Sequence, residues 1–191
     1  MRYVALYILV ACVIAFILQS IFPITDSLVL VSSEVLIHPW TLITHMFLHG
    51  SFEHLFYNMF ALGLFGLILE KVIGSKKFII LYFVSGLIAA LGSIMFYSAS
   101  LGASGAIFGI LGCLTVLRPR MTVYVSYIPL PMIIAAAVWI GGDLIGMVAP
   151  DRVAHAAHLF GMFFGIAVGL YYRKQLGENL FRKHFNLWEN R

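Results

Sequence analysis

The sequence predicts an all-α membrane protein: a six-transmembrane-helix bundle with a short fourth span and a membrane-dipping external loop between spans 1 and 2. Three observations lead there. First, 62% of the 191 residues are hydrophobic and only 10% are charged. A soluble domain of this size cannot cover so much apolar surface. Second, long apolar stretches recur at about residues 3–22, 53–69, 78–97, 104–117, 131–148 and 153–172. Third, threading six spans puts 11 of the 12 Lys and Arg residues on one side and Arg152 alone on the other. Basic residues stay on the cytoplasmic side, so both termini are expected there, in a multi-pass protein of the plasma or inner membrane.

Each element follows from its residues. The first stretch is too long for a removable signal peptide and lacks a small-residue cleavage site. Residues 23–52 are too apolar for an ordinary loop and too broken for a span, carrying Asp26, Glu34 and Pro39. Such a segment is expected at the interface, with Trp40 at headgroup level. The fourth span has fourteen residues before Arg118-Pro119-Arg120. It covers about 21 Å of a hydrocarbon core roughly 30 Å thick. Its first residue, Ser104, therefore lies about 10 Å below the outer boundary, in a pocket that water enters from outside. The fifth span begins near Pro129 and Pro131. Residues 1–172 hold the spans. Residues 173–191 mix basic groups with Leu176, Leu180, Phe181, Phe185 and Trp188, and are expected to lie on the cytoplasmic surface as an amphipathic tail.

The net charge of +4 reports topology. No basic cluster sits among aromatics on a soluble surface, so no nucleic-acid partner is expected. Cys12 and Cys113 fall inside spans and read as small core residues.

Four polar side chains converge on one outer-leaflet layer. Ser104 opens the fourth span, and His158 lies about 8 Å into the sixth. His54 and Asn58 are one turn apart on the second span. A hydroxyl and an imidazole are the minimum parts for nucleophilic acyl transfer. Glycines supply their lateral contact: Gly105 and Gly109 on the fourth span, Gly161, Gly165 and Gly169 on the sixth. Small residues at this spacing let helices approach closely in lipid. A helix N-terminus at Ser104 also offers free N–H groups to an oxyanion.

Other residues receive plainer readings. His155 is a rim residue. His45 and His49 have the i, i+4 spacing of zinc ligands, but Met46 stands where a zinc protease needs glutamate, so they are expected to hydrogen-bond within the external segment. Asp143 and Asp151 lie near the outer ends of the last two spans. Nothing local places either against His158, so the expected unit is a Ser–His dyad. Glu70 is expected to be structural.

These residues resemble the rhomboid family of intramembrane serine proteases along nearly the whole chain. Gly102-Ala103-Ser104-Gly105 is similar to its G-x-S-G motif, Ala157-His158 through Gly165 to A-H-x-x-G-x-x-x-G, and His54 through Asn58 to H-x-x-x-N. The resemblance implies a serine endopeptidase with Ser104 as nucleophile and His158 as general base. It implies an oxyanion hole of His54, Asn58 and the Ser104 backbone N–H. No metal or organic cofactor is implied. Its substrates would be single-span transmembrane proteins, cut within the lipid bilayer near the outer face. Two positions depart from the family pattern: Thr41 follows Trp40 where arginine is common, and Phe108 stands where a tyrosine stacks on the histidine. The fifth span and residues 93–101 are the expected gates for substrate. The alternatives are a non-enzymatic binder of the same fold, which intact Ser104 and His158 disfavour, and a small transporter, which would keep its polar groups at the midplane.

Overall fold

The computed structural model describes residues 3–149, 151 and 153–189, with the side chains of 176 and 178–189 outside the description. The chain starts with α1 (Val4–Ile21), which buries Ala5, Ile8 and Cys12 on one stripe. Tyr7, Val10, Ile14, Ile17 and Ile21 stand exposed on the other faces. Its first turn has a buried partner. The Glu70 carboxylate accepts the backbone N–H of Val4 and of Ala5, each at 2.9 Å. A carboxylate there meets both the unpaired N–H groups and the positive end of the helix dipole. The structural role expected of Glu70 is this cap.

The external segment folds as α2 (Thr25–Leu28), β1 (Leu30–Val31), α3 (Thr41–Thr44) and a 3₁₀ turn (His45–Phe47). Leu36 and Ile37 stand exposed on this segment. The Trp40 indole N–H donates to the Ser27 carbonyl. Then α4 (Phe52–Ala61), a π turn (Leu62–Gly66) and α5 (Leu67–Ile73) run as one helix. Gly74, at φ +82°, reverses the chain into α6 (Ser75–Phe96). A short β2 (Ala99–Ser100) pairs antiparallel with β1 and leads into α7 (Ser104–Leu117). Strands β3 (Thr122–Val125) and β4 (Ile128–Pro131) form a hairpin before α8 (Met132–Gly146), and α9 (His155–Glu189) ends the fold.

Four helices are long and apolar enough to cross a bilayer: Val4–Ile21, Phe52–Ile73, Ser75–Phe96 and His155–Gln175. Two shorter apolar helices, Ser104–Leu117 and Met132–Gly146, take the places of the expected fourth and fifth spans. The bundle is the all-α membrane architecture the sequence predicts. The two ribbons are additions to that reading. Thr122–Val125 alternates in burial, and Ser126 and Tyr127 take the positive φ of a tight hairpin turn. Pro131 then fixes the entry to α8. The β1–β2 ribbon ties residues 99 and 100, at the end of the 93–101 segment, to the external loop.

The core sits around α7, ten of whose fourteen residues are buried. It is sandwiched between α6 and α9, and small residues line both seams. A methyl group added at Gly161 would meet the Gly105 carbonyl, one at Gly165 the Gly109 carbonyl, and one at Gly112 the Met162 carbonyl. On the other side, a methyl at Gly109 would meet Ser85, and one at Gly105 would meet Ala89. Lipid tails are as apolar as leucine, so close backbone packing, and not exclusion of oil from water, joins these helices. The glycine seam expected from sequence therefore sets how far apart α7 and α9 lie, and with that the spacing of the groups they carry. The helix expected within 173–191 is present to Glu189 as a continuation of α9. Its placement on a membrane surface concerns side chains outside the described residues.

Candidate active site

Ser104 is the first residue of α7, and His158 lies in the first turn of α9. With the glycine seam closed, the Ser104 Oγ is 2.9 Å from His158 Nε2. The Phe108 ring, one turn along α7, stacks on the imidazole at 4.2 Å between centroids and 7° between planes. A near-parallel stack holds the ring plane and leaves only in-plane contacts to its nitrogens.

The other nitrogen has a partner that the sequence reading did not expect. His158 Nδ1 lies 3.0 Å from Asp143 Oδ1. Asp143 projects from α8 and is 6% exposed. The expectation that no carboxylate stands behind the histidine is corrected here: α8 is rotated so that its lone acid faces α9. That solitary acid in an apolar helix was itself the available signal, since an ionisable group at such a place needs a named partner. The same Oδ1 lies 2.7 Å from His155 Nδ1, and His155 Nε2 lies 3.0 Å from Asp151 Oδ2. Asp151, outside the spans, has its carboxyl held below the usual range, first by the His155 bond and then by the Val153 N–H.

The opposite flank of Ser104 is built from Gly102 and α4. Gly102 has φ +127°, and a Cβ there would fall 2.8 Å from His54 Cε1 and 2.9 Å from Nε2. Only glycine fits both the backbone and the imidazole at that position. The same point is 3.8 Å from Ser104 Oγ, so His54 and Ser104 flank one small volume. Ser51 caps this helix, its hydroxyl accepting the backbone N–H of His54. Asn58 is buried one turn below, and its amide donates to the His54 carbonyl at 2.8 Å. The structure thus brings His54 beside the serine and occupies Asn58 with its own helix.

His45 and His49 bond within the external segment. His45 Nδ1 faces the Thr41 carbonyl at 2.7 Å, and His49 Nδ1 faces the Phe47 carbonyl at 3.3 Å. Burial pushes His45 down to about 4, against the Thr41 bond. Burial and then repulsion from His54 push His49 down to about 4. Both rings are neutral near pH 7. The His45 carbonyl accepts the Gly102 N–H at 2.9 Å, which ties this loop to the glycine beside Ser104. A cavity of about 20 Å³ lies there, lined by His45, Ser93, Ser100, Gly102 and Ser104 among others. That is room for about one water, and the buried Ser100 Oγ has no protein partner.

The fold and the site define a helical membrane protein that carries a hydrogen-bonded serine and imidazole between two glycine-packed helices. Residues 37–175 match the Rhomboid domain family model. The chain belongs to the rhomboid family. It is 33% identical over 148 residues to mitochondrial Rhomboid protein 1 of Saccharomyces cerevisiae, covering 70% of this chain and 42% of that protein. Rhomboid protease GluP of Bacillus subtilis is 33% identical over 131 residues, 67% of this chain and 25% of that one. Rhomboid protease GlpG of Yersinia pseudotuberculosis is 26% identical over 136 residues, 69% of this chain and 48% of that one. The chain thus matches between a quarter and about half of the length of these relatives.

Proposed function

We propose that this chain is a serine endopeptidase that cleaves single-span transmembrane proteins inside the bilayer, near the outer face. The observation that carries the reading is the 2.9 Å contact between Ser104 Oγ and His158 Nε2 at the N-terminus of α7. His158 Nε2 takes the hydroxyl proton as Oγ bonds to the scissile carbonyl carbon. The carbonyl electron pair moves to oxygen. That oxyanion meets the Ser104 backbone N–H at the positive end of α7 and the His54 ring beside Gly102. Asn58 joins them once its amide leaves the His54 carbonyl. Collapse breaks the C–N bond, and the Nε2 proton goes to the leaving amine. A water, activated by His158, then hydrolyses the acyl-enzyme and restores Ser104.

Asp143 extends the expected dyad. By accepting the Nδ1–H it selects the tautomer with a free Nε2 lone pair, the one a general base needs. Phe108 supplies the stack without a hydroxyl. Substrate would enter beside α8, the expected fifth span. A Cβ added at Gly141 or Gly142 would meet nothing within 4 Å, and Trp139 touches Phe65 edge-on across the seam. The basic residues favour both termini on the cytoplasmic side.

Purified protein is incubated with a labelled single-span substrate in vesicles. Wild type should release the cleaved fragment, and Ser104→Ala and His158→Ala should release none. Cleavage that persists in both variants would overturn the reading. A fluorophosphonate probe should label wild type at Ser104 and fail on His158→Ala.

A further inference from the structure

We propose that Asp143, His155 and His158 form an inhibitory site for a zinc-class divalent cation. The inference rests on the serine-protease reading above, because its consequence is loss of the general base. One ligand atom from each residue falls in a group no wider than 4.8 Å. The residues come from two helices: Asp143 from α8, and His155 with His158 at i, i+3 on the first turn of α9. Two imidazole nitrogens and one carboxylate oxygen suit zinc better than magnesium or calcium, which take oxygen ligands.

Two further observations point to a ligand. Asp143 is 6% exposed, and its buried Oδ2 has no hydrogen-bond partner. A buried, unpaired carboxylate oxygen is costly, and a cation answers it. The supporting groups are also in place. A ligating histidine characteristically donates its other N–H to an acceptor that fixes the ring. His155 turns Nε2 to the Asp151 carboxylate at 3.0 Å, and His158 turns Nε2 to Ser104 Oγ at 2.9 Å. Both rings thus present Nδ1 toward Asp143. Binding needs a small movement. The contacts of 2.7 Å and 3.0 Å to Asp143 open to about 3.4 Å, as ligands about 2.1 Å from a tetrahedral centre require. A fourth position is left to water. Asp151, exposed at the edge, marks the side from which the cation enters.

The inhibition follows from the protons. The proton on His158 Nδ1 moves to Nε2 when the metal takes Nδ1. The proton that His155 shares with Asp143 leaves to solvent. His158 Nε2 then donates to Ser104 and has no lone pair for the hydroxyl proton. The cation is an inhibitor here and not a cofactor.

The test uses chelator-stripped full-length protein in phosphatidylcholine vesicles, with zinc chloride as probe and fluorophosphonate labelling of Ser104 as readout. Zinc should suppress labelling, and chelator should restore it. His155→Gln should raise the zinc concentration for half-suppression by at least tenfold, and Asp151→Asn by a smaller factor. His38→Ala, a partly exposed histidine elsewhere, should leave it unchanged. Cobalt supplies a binding readout independent of activity: visible absorption of a tetrahedral site in wild type, lost in His155→Gln even if that variant labels poorly. A featureless cobalt spectrum in wild type overturns the proposal. So does suppression of His155→Gln at the wild-type zinc concentration. Metal-free wild type that fails to label at all would instead overturn the protease reading.

Discussion

Replacing Asp143 by asparagine tests whether the carboxylate sets the tautomer of His158. The side chain keeps its size, so α8 keeps its packing. What changes is the acceptor 3.0 Å from Nδ1. A hydrogen bond involving a charged group is worth about 1.5–3 kcal/mol, and here it acts on the base in the transition state. That converts to a fall in kcat/KM of about 10- to 150-fold. If the amide instead turns its NH₂ to Nδ1, the proton sits on Nε2 and the loss moves toward roughly 10⁴-fold. Asp143 touches no substrate, so the loss should appear in kcat with KM unchanged. The assay is cleavage of a fluorogenic transmembrane peptide in vesicles, with thermal unfolding measured alongside. Folding should suffer little, because the amide is isosteric with the carboxylate and removes a buried charge. Activity of Asp143→Asn within twofold of wild type, with Ser104→Ala inactive, would refute the reasoning.

Other outcomes follow from the same structure. Gly165→Ala places a methyl against the Gly109 carbonyl; it should destabilise the protein by about 1–3 kcal/mol and reduce Ser104 labelling, read by thermal unfolding and probe uptake. Glu70→Ala strips the first turn of α1 of both its bonds; it should cost about 2 kcal/mol or more while folded protein keeps its labelling. His45 and His49 are each pushed down to about 4 from an ordinary value near 6.5. The unfolded chain therefore takes up protons first as pH falls. Stability is full above about 6.5 and is lost as pH drops toward 4, by up to about 3 kcal/mol for each ring; unfolding midpoints at pH 7 and pH 5, with His45→Gln flattening the slope, check it. Cross-linking α8 to the α4–α5 helix near Trp139 and Phe65 should stop cleavage of a membrane substrate yet spare fluorophosphonate labelling. Unchanged cleavage would remove α8 as the gate.

Much of the site was legible before any tertiary structure. Ser104 and His158 each open a glycine stripe, and the stripes report that their helices touch. The spacing of His54 and Asn58 puts both on one helical face. Those are local properties, set by the 1.5 Å rise and 3.6-residue period of a helix and by the hydrophobicity of the solvent. Asp143 was not legible as a partner of His158. The two are separated by a chain reversal, and their contact depends on how α8 is turned about its own axis, which no local pattern states. The β1–β2 ribbon escaped for a similar reason, because Leu30 meets Ser100 across seventy residues of sequence. Asn58 bonding to its own helix is likewise a choice among rotamers. By itself, then, the sequence determined the membrane-bundle class and the close seam between α7 and α9, because hydrophobic run length and glycine spacing act within one helix. Only the tertiary structure decided that the serine–imidazole pair has a carboxylate behind it, because side-chain hydrogen bonds between helices depend on ångström-level rotation and packing of the whole bundle.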